Sequence, residues 1–146
     1  ELNWGAADLP AHKGVQQLVR DLNAIYCDTP ALHVNDCLPE GFAWISNDPA
    51  KSTMGFVRYG AASDAPVVVV CNFTPVERAD FRVGVPEQGF WEEVLNTDAA
   101  NYGGGNRGNL GGKDATDVAA DGHAQSVALT LPPLSVVVLR HKTKNN

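Results

Sequence analysis

The sequence predicts an all-β fold, an antiparallel β-sandwich preceded by one amphipathic α-helix. Three observations predict it. Apolar residues recur at helical spacing only between His12 and about Cys27. Beyond Gly41 the period shortens to that of strands, in runs rich in Val, Leu, Ile and aromatics. Clusters of Gly, Pro, Asn and Asp separate those runs, as the turns of a sandwich require.

Taken in order, residues 1–11 show no periodicity, end in Leu9-Pro10, and read as a loop. From His12, the residues Val15, Leu18, Val19, Leu22, Ile25 and Tyr26 follow the i, i+3, i+4, i+7 rule, with Gln16, Gln17, Arg20, Asp21 and Asn23 between them. One face of this helix must therefore be buried. It should stop before Pro30, because a residue preceding proline is pushed out of the α region. Phe42 to Ser46, the turn-like Asn47-Asp48-Pro49 and the run Ser52 to Tyr59 predict a hairpin.

Val67-Val68-Val69-Val70-Cys71 is apolar on both faces and reads as a central strand covered from both sides. In Ala79 to Val85, Phe81, Val83 and Val85 share a face opposite Asp80, Arg82 and Gly84. Pro86 to Gly89 turns the chain into a strand from Phe90 to Asn96. The glycine-rich stretch from Tyr102 to Gly112 reads as a long surface loop. Ser126 to Leu131 and Leu134 to Arg140 then form strands meeting at the Pro132-Pro133 corner, about seven strands in all.

The chain has 146 residues, enough for an ordinary core, and a formal charge of -6. That charge argues against a nucleic-acid surface, which rests on clustered Lys and Arg. The one basic cluster, Arg140-His141-Lys142 with Lys144, reads as a solubilising tail. No segment approaches the roughly 20 apolar residues that cross a bilayer, and no secretory signal is visible near Glu1. Cys27, Cys37 and Cys71 outline neither a disulfide framework nor a metal motif, so a soluble protein of the reducing cytoplasm is expected.

Few residues are candidates for chemistry. Glu92 and Glu93 are adjacent in a strand, point to opposite faces, and cannot work as a carboxylate pair. Asp114 and Asp117 fall in a loop and read as turn carboxylates. The histidines His12, His33, His123 and His141 show no metal-ligand spacing, so no metal or other cofactor is expected. No serine lies in a nucleophile elbow, and Cys71 sits in an apolar strand where a thiol is inert packing. The glycines of 103–112 lack the Lys-Ser/Thr ending and the helix of a phosphate cradle. No catalytic residue is therefore assigned.

Aromatic rings remain as possible platforms for sugar C–H faces. Trp44, Trp91, Tyr102 and Trp4 qualify by type. Trp44 and Trp91 lie in strands, where a core role is the default, and Tyr102 beside the glycine-rich loop is the better exposed platform. The substrate-binding candidates are Tyr102 and Trp91.

Longer strings add a resemblance. Gly14 to Asn23, Tyr26, Thr29-Pro30-Ala31-Leu32-His33 and Pro39-Glu40-Gly41-Phe42-Ala43-Trp44-Ile45 resemble the end of the catalytic region of glycogen branching enzymes. Cys71-Asn72-Phe73-Thr74-Pro75-Val76, Glu93 to Asp98, Tyr102-Gly103-Gly104, Gly108 to Gly112 and Leu129 to Leu134 resemble that family's C-terminal domain. The matches are ordered from about His12 to Arg140. Cys27 departs from the pattern, where an arginine is common, and Cys37 interrupts a stretch that is often acidic or aromatic.

The resemblance implies a member of the α-amylase clan, in which a (β/α)₈ barrel carries the active site and a β-sandwich follows. Residues 1–39 would be the end of that barrel, a loop plus its last helix, and residues 40–146 the C-terminal all-β domain. It implies a glucan chain transfer by retaining double displacement, performed by carboxylates on the barrel. No residue of this chain inherits a catalytic role. A stand-alone glucan-binding β-sandwich is the alternative expectation. Without a barrel, the helix is expected to fold onto the sandwich, swap between chains, or fray.

Overall fold

A computed structural model describes residues 3–142. Among the described residues, eight strands and one α-helix make up the regular structure, with short 3-10 turns before and between them. The helix, α1, covers Pro10–Asp28. It begins two residues earlier than the apolar stripe suggests, because Pro10 at the first helical position has its φ preset and no N–H to leave unpaired. The segment before it is not all loop, since Trp4–Asp8 forms a 3-10 turn. At the other end α1 stops before Pro30, as the sequence predicts. Lys144 lies outside the described residues.

The strands are β1 (Phe42–Asp48), β2 (Thr53–Arg58), β3 (Val67–Asn72), β4 (Arg78–Val85), β5 (Phe90–Asn96), β6 (Gly112–Asp114), β7 (Gln125–Leu131) and β8 (Ser135–Lys142). Six form one sheet in the order β1-β2-β3-β8-β5-β6, and β4 pairs with β7 in a second. Every pairing is antiparallel. β3, the valine run, lies inside the large sheet with both faces buried, as its unalternating sequence predicts. Sequence periodicity misses β6. Its three residues, Gly112, Lys113 and Asp114, carry no apolar alternation and are held only by pairing with β5 at a sheet edge. Asp114 is thus an edge-strand residue.

The inner strands of the large sheet, β2, β3, β8 and β5, contribute residues to two separate cores, one on each face. The inner core fills the space between the sheets with Val57, Val68, Val70, Val83, Val85, Trp91, Val127, Leu129, Leu131, Val137 and Leu139. The outer core lies on the other face of the large sheet, where Val67, Val69, Cys71, Leu95 and Val138 meet Leu18 and Ile25 of α1. The helix therefore folds onto the sandwich. The register shift at Glu93/Leu95 resets the alternation of β5, so that Trp91 faces the inner core and Leu95 the helix, whereas Ile45 reaches the inner core by plain alternation with Ala43, which pairs with Val57.

Candidate functional site: an apolar face shared by the helix and the large sheet

The helix covers only part of the face beneath it. Around its axis, Gly14, Leu18, Asp21 and Ile25 share one line, while Val15, Val19, Leu22 and Tyr26 lie about a quarter-turn away. The first line meets the sheet. The second is bare, with Val15 60% exposed. Leu22 and Tyr26 also line a groove of about 490 Å³ whose floor is Phe56, Val69, Leu95 and Val138. Beyond Phe56 the apolar surface continues into Phe42 and Trp44 on β1. Phe42 stacks on Phe56 at 5.4 Å, and Trp44 meets Phe42 edge-on at 5.0 Å.

The result is one apolar tract running from a helix flank, across a groove, to an aromatic trio at the sheet edge. Tracts of this kind mark a surface that another body covers. Arg58 on its border is already committed, donating from Nε to the Gly41 carbonyl at 3.0 Å and pairing with Asp36 at 2.7 Å.

The helix is held in place by the glycine-rich loop. Tyr102 donates its hydroxyl to Asp21 at 2.7 Å, and its ring packs into the outer core. Burial first, and then Asp21, push the Tyr102 phenol above its ordinary range. Gly14 rests on the Tyr102 backbone, and any Cβ there would intrude on the Tyr102 carbonyl. The loop is pinned in turn by Asp98, whose carboxylate accepts from the N–H groups of Gly105 (2.8 Å) and Arg107 (3.0 Å). Buried Asn109 ties the two sheets together, donating to Glu93 of β5 at 2.6 Å and accepting from the Thr130 N–H of β7 at 2.8 Å.

Of the two strand tryptophans, for both of which a core place is the default expectation, only Trp91 lies in the core. Trp91 is 0% exposed, lies at the centre of the inner core, and donates from Nε1 to the Glu87 carbonyl at 3.1 Å. Its selection as a sugar-binding residue is corrected, because no ring face is open. Tyr102 is half-buried with its hydroxyl bonded to Asp21, so it anchors the helix instead of standing as an open platform. Trp44 is instead the exposed one, at 57%. Phe42 and Trp44 alternate with Ala43 and Ile45, a pattern that separates the two faces of β1 without saying which of them is inner.

Glu92 and Glu93 serve separate networks, Glu92 with Arg140 at 3.2 Å and Glu93 with Asn109. His12, His33, His123 and His141 sit apart on the helix, a turn, a loop and β8. Among the described residues no group of three His, Cys, Asp or Glu side chains is placed to hold a metal ion. Cys71 is buried, and burial raises its thiol pKa, while Cys27 and Cys37 are exposed and free. No helix of the described residues is long and apolar enough to cross a membrane.

Residues 44–142 match the family model of the α-amylase C-terminal all-β domain. The chain is 73% identical to the 1,4-α-glucan branching enzyme GlgB of Jannaschia sp. (strain CCS1), over 97% of this chain and 20% of that protein. It is 49% identical to the GlgB of Aquifex aeolicus (strain VF5), over 97% of this chain and 22% of that protein. To GlgB 1 of Xanthomonas euvesicatoria pv. vesicatoria (strain 85-10) it is 52% identical, over 94% of this chain and 19% of that protein. The chain spans about a fifth of the length of the curated relatives it matches.

Proposed function

The chain belongs to the α-amylase C-terminal all-β domain family, and from that membership we propose that it is the non-catalytic C-terminal part of a 1,4-α-glucan branching enzyme. The whole protein would form α-1,6 branch points in glycogen, on carboxylates contributed by a catalytic barrel in cis. This part would cover the flank of that barrel and stabilise it. The observation that carries the reading is the bare apolar tract of α1 and the large sheet, which a globular neighbour must shield. Its continuity with α1 supports an upstream neighbour, since residues 1–39 would be the end of the barrel itself. Free thiols at Cys27 and Cys37 agree with a reducing cytoplasm.

The test compares three proteins: the whole enzyme, the enzyme lacking residues 40–146, and this chain alone. The whole enzyme transfers glucan chains. The truncated one loses solubility or melting temperature more than glucan affinity, and this chain transfers nothing. Branching by the isolated chain would sink the proposal.

A further inference from the structure

Two leucines hold backbone strain that no burial within the chain offsets. Leu110 stands at φ +53° and Leu134 at φ +47°, left-handed conformations in which a bulky side chain crowds its own backbone. The other non-glycine residues at positive φ among those described, Ser52, Asp80, Asn106 and Asp121, are short and polar. Leu134 is 69% exposed and Leu110 fully exposed. Strain of this kind persists where a function uses the side chain.

Both leucines belong to one end of the sandwich, where β3 stops and β8 starts. The Leu134 N–H donates to the Thr74 carbonyl at 2.9 Å, which ties the β7–β8 corner to the loop after β3. Buried Asn72 fixes both, donating from Nδ2 to the carbonyls of Val76 at 2.8 Å and Pro132 at 2.9 Å. Phe73 and Val76 are exposed on that loop. Leu110 lies on the glycine-rich loop, held here by Arg107 on Glu77 at 2.7 Å and by Asn109 on Thr130 near the end of β7. An exposed apolar set therefore stands on loops that are ordered before anything docks, which lowers the entropy lost in docking.

At this end we propose a second seat for the upstream part of the protein, a partner taken from the function proposed above, with Leu110 and Leu134 as its anchors. The path of the chain selects that occupant. Gly14, near the start of α1, rests on the backbone of Tyr102, just beyond β5, so α1 begins at the end of the large sheet where β5 stops and β8 starts. Ala31, past the other end of α1, shares the outer core with Val67 at the start of β3. A chain leading into α1 thus passes the end of the sandwich that carries the two leucines. The chain spans about a fifth of the length of its curated relatives, and a body of the remaining length is large enough to cover this end as well as the tract. Its contact here is apolar, since Glu77 beside the seat is already paired with Arg107.

The experiment is hydroxyl-radical footprinting of the whole branching enzyme beside this chain. Phe73, Leu110 and Leu134 should oxidise readily in this chain and several-fold more slowly in the enzyme. The pair Leu110→Asn and Leu134→Asn gives effects of opposite sign in the two proteins. In this chain it relaxes both left-handed positions and should favour the folded state several-fold. In the enzyme it removes the anchors and should lower the melting temperature. Equal oxidation in the two proteins, or a pair that stabilises the enzyme as it does the chain, would overturn the seat. Protection that appears in this chain alone as its concentration rises would also overturn it, by giving this end to a second copy. An enzyme that forms branches with the end unprotected leaves the proposed function standing without the seat, and a whole protein that protects the end yet forms no branches does the reverse.

Discussion

Gly14 and Tyr102 show how much one contact decides. In an isolated helix, Gly→Ala is favourable by about 1 kcal/mol. Here the added methyl would enter the Tyr102 carbonyl, which belongs to backbone and cannot swing aside. Gly14→Ala is therefore expected to destabilise the helix dock, read as faster amide exchange in residues 15–26 with the sheets unchanged. The Tyr102 hydroxyl adds a pH dependence. Its phenol titrates above the ordinary value near 10 in the folded chain, so the dock is fully present below that value and weakens as pH rises through the folded one. Protection factors in α1, corrected for the base-catalysed intrinsic rate, should thus stay flat through neutral pH and fall in alkali, and Tyr102→Phe should remove the alkaline step. Thiol labelling reports on burial at the same scale. Cys27 and Cys37 should react with a maleimide in the native protein, and Cys71 only after unfolding.

At the scale of elements, the glycine-rich segment is a loop that behaves as a structural part. Asp98 gathers two of its N–H groups, Asn96 holds the Arg107 carbonyl at 2.6 Å, and Asn109 stitches β5 to β7. Asp98→Ala should open it, seen as rapid proteolytic cleavage within 103–111 while the far-UV spectrum is preserved. Asn109→Ala should cost more, about 2–3 kcal/mol in denaturant unfolding, because it strips the side-chain amide donor from the Glu93 carboxylate and deletes the side-chain bonds to the Thr130 backbone. The buried asparagines Asn72 and Asn109 were not legible as such. Asn side chains are usual in turns, and only three-dimensional closure shows that Asn72 donates to Pro132 at 2.9 Å across the molecule.

For the whole molecule, the bare tract gives a clean separation of effects. Val19 and Leu22 touch water in this chain, so replacing both with Gln should shift its own unfolding free energy by no more than about 0.5 kcal/mol per site. In the branching enzyme proposed above the same pair, or Trp44→Ala, should lower the melting temperature if the tract is the seat of the proposed barrel. Aromatic anchors at the centre of an interface cost roughly 2 kcal/mol or more when truncated. Equal melting temperatures for parent and variant enzymes would place the covering body elsewhere.

Local residue pattern by itself determined the helix, the central valine strand and the β1–β2 hairpin, because side-chain period and turn chemistry are short-range properties. The ordered strings carried the family in the same way. The tertiary structure decided what period cannot express. It assigned Trp91 to the interior and Trp44 to the surface, because both obey strand alternation and only the pairing of sheets says which face is inner. It recruited β6 from a segment with no pattern, through pairing with strand residues 20 to 24 positions away in sequence, Glu92 with Gly112 to Phe90 with Asp114. It also left half of an amphipathic helix uncovered, since the stripe's width is written in the sequence while the bodies that bury it are set by packing.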